Sequence, residues 1–263
     1  MKYQEEAEIV GNVPLQGRYF QLVLRAPAIA QDVQPGQFVH VRIPLLTHRV
    51  LRRPFSVCDA DPNAGLLRIV YKVVGEGTAQ LAKLSAGATA NLIGPLGHGF
   101  TIPSRESFPV IVAGGYGCAA MYLLARRSPV ACLCLFGART ATELILVQEF
   151  RNLGCEVRIV TDDGSAGGCG PVTSLLHPVL DQPAALPPRI YACGPHPMLR
   201  VLATTARQRG LDAEIALDHV MCCGVGACFA CVVKCRSDKP EGWEYVRTCT
   251  EGPVFQASET VWD

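Results

Sequence analysis

Met221-Cys222-Cys223-Gly224-Val225-Gly226-Ala227-Cys228-Phe229-Ala230-Cys231, followed by Cys249 after seventeen further residues, is the stretch that divides this chain. Cys223, Cys228 and Cys231 stand in C-x4-C-x2-C spacing, with which one tight loop presents three thiolates to a two-iron, two-sulfur cluster and a distant fourth closes the cage. Gly224 and Gly226 permit the curl that aims sulfur inward and brings backbone amides toward the cluster. Zinc is the main competing metal, but structural zinc usually takes cysteines as two close pairs, and Cys249 has no close partner in sequence. Buried packing thiols are common singly and a poor account of six cysteines within twenty-eight residues. The expected metal ligands are Cys223, Cys228, Cys231 and Cys249. Cys222 lies outside the glycine-flanked frame and Cys235 falls just beyond it, so both are expected to pack or support rather than bind.

Working outward, 263 residues suffice for two domains and a small third. Hydrophobic residues make up 49% and charged residues 18%, and the formal net charge is +1. No basic face for nucleic acid and no acidic tail follows from that balance, so cofactors and proteins are the expected partners. Thirteen cysteines in a long chain, an odd count, and a beginning (Met1-Lys2-Tyr3-Gln4-Glu5-Glu6) without signal-peptide character predict a reducing, cytoplasmic setting. Residues 107–125 are nineteen positions without a charge. Pro109, Gly114, Gly115 and Gly117 break that run into strand, turn and helix, so no membrane span is expected.

Residues 1–100 carry short apolar runs between turn signals, among them Phe20-Gln21-Leu22-Val23-Leu24, Phe38-Val39-His40-Val41-Arg42-Ile43 and Leu67-Arg68-Ile69-Val70-Tyr71. Their period of two predicts a small antiparallel β-barrel. Within it, Leu51-Arg52-Arg53-Pro54-Phe55-Ser56-Val57 combines a guanidinium able to clamp a pyrophosphate, a flat ring and a hydroxyl. On an extended strand Arg53 and Phe55 point to one side and Ser56 to the other, so common service at one ligand predicts a bend. Val70-Tyr71-Lys72-Val73-Val74-Gly75-Glu76-Gly77-Thr78 reads as a strand, a glycine turn and a helix start, where Gly77 and Thr78 offer amides to phosphate.

From Pro109 to about Asp218 strands alternate with helices, predicting a doubly wound parallel sheet. Glycines fall at strand ends where such sheets bind nucleotides: Gly114, Gly115 and Gly117, then Gly137, Gly164 and the pair Gly194-Pro195. Arg139 could face a 2′-phosphate, whereas Asp162 and Asp163 disfavour one, and the choice between NAD and NADP stays open. The six histidines, His40, His48, His98, His177, His196 and His219, are scattered, and no acid–base or nucleophilic triad is evident, so no catalytic side chain is assigned. Residues 219–263 are too few to fold well without their metal.

The strings Arg53-Pro54-Phe55-Ser56, Gly75-Glu76-Gly77-Thr78 and Gly94-Pro95-Leu96-Gly97 resemble the FAD-binding elements and the barrel-closing turn of the ferredoxin reductase-like flavoproteins. The order of barrel, nucleotide sheet and C-terminal cluster further resembles the electron-transfer subunits of class 1B dihydroorotate dehydrogenases. That resemblance implies three domains: an FAD-binding barrel (residues 1–100), an NAD-binding α/β domain (101–218) and a 2Fe-2S domain (219–263). It implies FAD held by Arg53, Pro54, Phe55, Ser56, Val70, Tyr71, Lys72, Gly77 and Thr78, and NAD, as substrate, by Gly114, Gly115, Gly117, Gly194 and Pro195. It further implies a partner, the FMN-containing dihydroorotate dehydrogenase catalytic subunit, in a heterotetramer of two plus two, with electrons passing through the cluster and FAD to NAD. No dihydroorotate site is expected in this chain. An NAD(P)H-ferredoxin or sulfur-reducing oxidoreductase subunit, or a redox-sensing module, is the competing expectation.

Overall fold

The computed structural model of the chain describes residues 1–262. Its first hundred residues form β1 (Tyr3–Pro14), β2 (Tyr19–Arg25), β3 (Phe38–Arg42), β4 (Arg53–Ser56), β5 (Asp59–Asp61), β6 (Leu66–Lys72) and β7 (Thr89–Leu96), with short helices α1 (Pro27–Asp32) and α2 (Glu76–Leu81). The strands make one antiparallel sheet in the order β4-β3-β7-β1-β2-β6-β5. Its ends curl together, so that β4 lies against β6 with no ladder joining them. The alternation read in the sequence sends Leu22, Leu24, Val39, Val41, Leu67 and Ile69 into a core with no solvent exposure. Each such side chain contributes about 1.5–3 kcal/mol by leaving water. The expected barrel is present, with one unlaced seam.

The second sheet comprises β8 (Phe108–Gly114), β9 (Leu133–Ala138), β10 (Glu156–Thr161), β11 (Gly168–Cys169), β12 (Pro188–Cys193) and β13 (Asp212–Ala216). Helices α3 (Gly117–Arg127), α4 (Val147–Asn152), α5 (Thr173–Leu180) and α6 (His196–Arg209) run between them. The parallel order β11-β10-β9-β8-β12-β13 reverses direction between β8 and β12, the topological switch point at which doubly wound sheets bind ligands. Strands covered on both faces read as unbroken apolar runs, and Val110, Ile111 and Val112 of β8 are all fully buried. The uncharged run of residues 107–125 is thus split between β8 and α3. Among the described residues, no helix is long and apolar enough to cross a membrane.

The last part forms a hairpin, β14 (Val232–Arg236) and β15 (Trp243–Arg247), and then β16 (Val254–Gln256). β16 does not lead the chain away from the sheet but returns to pair antiparallel with β13, Ile215 opposite Phe255. That pairing satisfies the free edge of β13 and buries Val254 and Phe255, which a departing chain would leave in water.

Barrel and sheet share a core. Tyr19, Val70 and Phe100 of the first hundred residues pack in one buried cluster with Ile111, Cys118 and Cys193. Polar contacts cross the same boundary: Lys72 Nζ meets Glu143 at 2.5 Å and Arg126 Nε meets Asp59 at 2.9 Å.

Candidate cofactor and cluster sites

The unlaced seam is where the barrel motifs converge. β4 pairs with β3 in unbroken register, Val41 opposite Arg53 and Val39 opposite Phe55, so no bend occurs between Arg53 and Ser56. Arg53 and Phe55 therefore lie on the face of the core valines, and Pro54 and Ser56 on the opposite face. The expectation that the backbone bends to bring all three side chains to one side is corrected, because the continuous β3 ladder holds the strand straight. Phe55 stands edge-on to Tyr71 across the seam, with ring centroids 5.8 Å apart. Tyr71 is buried and donates its hydroxyl to Asn12 Oδ1 at 3.1 Å, and burial pushes that hydroxyl up to about 12. Val70 is buried as well, so these two can offer a ligand backbone but little side chain. Lys72 is engaged with Glu143.

Arg53 is differently placed. Its Nη1 donates to the carbonyls of Leu51 (2.7 Å) and Arg52 (3.3 Å), and among the described residues no carboxylate pairs with it. A Cβ on Gly77 would lie 3.0 Å from Arg53 Nε, so the guanidinium rests against the glycine turn that opens α2. Two stretches separated in sequence thus form one cradle of guanidinium and amides, a chemistry suited to pyrophosphate. Thr78 also holds the turn: its Oγ1 accepts from the amides of Val74 (2.9 Å) and Gly75 (3.2 Å) and donates to Gly75 O. The hydroxyl is spent on holding the turn. An unpaired guanidinium, backbone amides and an open seam beside a flat ring are a donor set that fits FAD.

At the switch point the glycines sort by cause. A Cβ on Gly117 would sit 2.2 Å from Cys193 O, one on Gly114 2.7 Å from Pro195 Cδ, and one on Gly194 2.7 Å from Met198 Cε. Those three are needed for the β8–α3 turn to nest against the β12–α6 turn. Gly115 has φ +56 and, among the described residues, nothing within 4 Å of a Cβ position, an open space of the kind a dinucleotide's backbone can approach. Tyr116 beside it is half exposed and donates its hydroxyl to Asp218. Burial, and then Asp218, hold the tyrosine well above its ordinary range. At the ends of β9 and β10, Asp162 and Asp163 donate their amides to Ala138 O and Arg139 O, setting the two acids beside Arg139. Asp163 Oδ1 is occupied by Ser165, which donates its amide at 3.0 Å and its hydroxyl at 2.6 Å.

The cysteine loop curls through Gly224 (φ +70), Gly226 (φ +85) and Phe229 (φ +57). Cys231 and Cys249 are buried, Cys223 is half-buried and Cys228 exposed. Val225 N donates to Cys223 Sγ at 3.5 Å. Burial pushes the Cys223 thiol up, but the Val225, Cys228 and Ala227 amides and the Cys228 thiol outweigh it and bring it down to about 6. Burial, and then the neighbouring Cys231 thiol, push Cys249 up to about 11. Cys228 thus neighbours Cys223 and Cys231 neighbours Cys249, and the charge of Cys223 also reaches Cys249. Among the described residues, no three His, Cys, Asp or Glu side chains converge tightly enough to hold a single metal ion. Two pairs within a nest of amides fit a two-iron cluster, each iron taking two thiolates. Cys235 lies apart, packed in the sheet core with Ile215 and Phe255.

Several residues that hold this loop escape sequence reasoning. Arg247 Nη1 donates to Gly226 O (3.2 Å), Nη2 to Glu251 Oε1 (2.5 Å), and the guanidinium lies 5.1 Å from the Phe229 ring centroid. Thr248 donates its amide (2.9 Å) and hydroxyl (3.1 Å) to Cys231 O. The spacing Arg247-x-Cys249-x-Glu251 was a signal for this clamp. His40 gave none beyond its place in a strand. It is fully buried on the outer face of β3, where Phe38, Leu96, Cys231 and Cys249 pack together with Ile93. Burial, and then Arg52, bring the imidazole down to about 4. His219, to which the sequence assigns no role, stands near His196, ring centroids 6.1 Å apart.

Comparison with known proteins follows the same division. Residues 8–100 match the oxidoreductase FAD-binding domain model, and residues 218–261 match the iron-sulfur cluster binding domain of dihydroorotate dehydrogenase B. The chain is 37% identical over 265 residues to a dihydroorotate dehydrogenase B (NAD(+)) electron transfer subunit of Shouchella clausii, covering 99% of each. It is 33% identical over 260 residues to the Fusobacterium nucleatum protein of that name, covering 97% of each. Among solved structures, an NADH-dependent reduced ferredoxin-NADP oxidoreductase superposes with TM-score 0.82 at 30% identity, over 98% of this chain and 90% of that one. The ferredoxin reductase of carbazole 1,9a-dioxygenase shares the fold, with TM-score 0.68 at 23% identity over 80% of this chain and 67% of that one.

Proposed function

This chain belongs to the dihydroorotate dehydrogenase B electron transfer subunits, and on that premise we propose that it passes electrons from a catalytic partner subunit to NAD+. The partner in this reading is an FMN-containing subunit that oxidises dihydroorotate, joined to this chain in a heterotetramer of two plus two. Division of labour follows the three proposed domains, FAD on residues 1–100, NAD on 101–218 and the cluster on 219–263. FAD, when bound, supplies the conversion between single electrons and the hydride that a nicotinamide carries.

One observation carries the reading: the cluster loop is seated on the outer face of β3 and β7, and β4, hydrogen-bonded to β3, bears Arg53 and Phe55 at the seam. Metal loop and flavin cradle are thus separated by little more than one strand ribbon. Arg53 and the Gly77 amide would hold the pyrophosphate, with Phe55 against the flat ring system. The Gly115 turn would take the nucleotide, and Val70, which shares a buried core with Cys193, links the seam to the switch point. Cys223, Cys228, Cys231 and Cys249 would ligate the two irons, while Arg247 and Thr248 fix the loop that carries them. In this reading the oxidation of dihydroorotate, with its proton transfer, belongs to the partner subunit.

The test is co-production of the chain with its catalytic subunit, followed by an assay of dihydroorotate-dependent NAD+ reduction. Failure with full FAD and iron would reject the reading. The extent of likeness to a reduced ferredoxin-NADP oxidoreductase favours, as the second reading, a ferredoxin-linked reductase subunit. NAD(P)H formation from reduced ferredoxin, with none from dihydroorotate, would select it.

A further inference from the structure

His40 is buried to 0% exposure, and among the described residues neither ring nitrogen has a hydrogen-bond partner. A buried polar group left unsatisfied costs about 1–3 kcal/mol, so the position calls for a partner outside the protein's own donors and acceptors. The surroundings say which. Phe38 lies on the same face of β3, its ring centroid 5.7 Å from that of His40, and Ile93 of β7 stands opposite in the ladder. Both apolar neighbours belong to the cluster that buries Cys231 and Cys249. The ring also abuts the residue directly after Cys223: a Cβ on Gly224 would lie 2.7 Å from both Nε2 and Cε1 of His40 and 2.9 Å from Cδ2. The Nε2 edge therefore faces the cluster loop. Gly224 is glycine for two reasons, its φ of +70 and the imidazole in the space a side chain would need.

We infer that His40 is a positioning residue whose Nε2–H donates a hydrogen bond to a sulfur of the cluster held by Cys223, Cys228, Cys231 and Cys249. This rests on the proposed ligand set. A neutral imidazole has one N–H and one bare nitrogen, and a sulfur-rich, electron-rich group is an acceptor. Hydrogen bonds to cluster sulfur stabilise the more negative, reduced cluster and raise its potential. His40 would thereby set how readily the cluster accepts an electron, from a strand whose neighbour carries the flavin-binding motif.

The experiment compares the reconstituted wild-type chain with His40→Phe and His40→Gln by potentiometric titration followed by electron paramagnetic resonance. In His40→Phe, at fixed ambient potential, the ratio of reduced to oxidised cluster should fall roughly tenfold, a change of about 59 mV for one electron. His40→Gln, which keeps a donor, should recover most of it. An unchanged potential in His40→Phe with iron and sulfide intact, or equal shifts in both variants, overturns the inference. If His40→Phe fails to retain the cluster, nuclear–electron double resonance on wild-type protein decides. Incorporation of ¹⁵N-histidine should alter a nitrogen coupling to the reduced cluster, and no such coupling overturns the inference. A wild-type chain that binds no iron removes the ligand set and this inference together, whereas loaded iron with an indifferent potential removes this inference alone.

Discussion

Cys235 and Cys249 are both buried, yet only Cys249 has a thiol neighbour, and that difference sets what serine does at each position. Serine at Cys223, Cys228, Cys231 or Cys249 removes a soft thiolate and should leave less than half the wild-type iron and sulfide per chain. Serine at Cys222 or Cys235 should leave both unchanged, although Cys235→Ser places a hydroxyl among Ile215 and Phe255 and should lower stability by about 1–3 kcal/mol in denaturant unfolding. Retention of the cluster in Cys249→Ser, or its loss in Cys222→Ser, would redraw the ligand set. Arg53 is tested the same way. Among the described residues its guanidinium has no carboxylate partner, so Arg53→Ala removes charge-assisted bonds of about 1.5–3 kcal/mol and should weaken FAD binding roughly 10- to 150-fold by isothermal calorimetry, with the thermal midpoint of the FAD-free protein unchanged. Arg52, one residue earlier, is tied to Asn91 and is the control: its removal should cost stability rather than FAD.

Elements were legible where a local rule generates them and obscure where two distant segments meet. The alternation in Phe38-Val39-His40-Val41 places the valines in the barrel core, and the uninterrupted Val110-Ile111-Val112 predicts a strand covered on both faces. The spacing of the proposed ligands Cys223, Cys228 and Cys231 is a local property of one loop, whereas Cys249 comes beside Cys231 only through the β14–β15 hairpin. By contrast β16 is three residues long, too short to show a period, and its pairing depends on an edge that only the folded sheet presents. His40 sits in a regular strand, and nothing in its own segment tells that a loop nearly two hundred residues later closes over it. The switch-point glycines belong to both classes. Sequence places them at strand ends, but only the meeting of two turns shows that Gly117 faces a backbone carbonyl while Gly115 faces open space. Gly117→Ala should therefore be severe: Cys193 O cannot retreat without shifting β12, so a loss of more than about 3 kcal/mol, or no soluble protein, is expected in thermal unfolding. Gly115→Ala meets no atom and pays only the left-handed backbone, about 1 kcal/mol, while its new methyl projects into the proposed nucleotide space. It should raise the KM for NAD+ several-fold with little change in melting temperature. Equal destabilisation by the two substitutions would refute the division of roles.

On the scale of the whole molecule, the seam proposed for the flavin and the switch point share one buried core, and the cysteine loop caps the far side of the β3–β4 ribbon. What that loop shows to solvent is apolar: Val220 is 74% exposed, Val225 45% and Phe229 61%. Exposed apolar side chains grouped on one loop mark an interaction surface more often than chance, and Phe229 is held in left-handed backbone with Arg247 over its ring, which preorganises it. Electrons that enter or leave a buried carrier must do so near its ligands, and exposed Cys228 adjoins Phe229 directly. The partner subunit is accordingly expected to dock here. Phe229→Asp is the informative substitution, since aspartate tolerates positive φ better than most residues and can pair with Arg247, so the loop should keep its shape and its iron. Central aromatic anchors carry about 2–4 kcal/mol of an interface, so affinity for the catalytic subunit should fall roughly 30- to 1,000-fold by surface plasmon resonance. NADH-driven reduction of a small artificial acceptor, which needs only the flavin and nucleotide sites, should be unchanged. Undiminished partner affinity with the cluster in place would move the docking face elsewhere on the molecule.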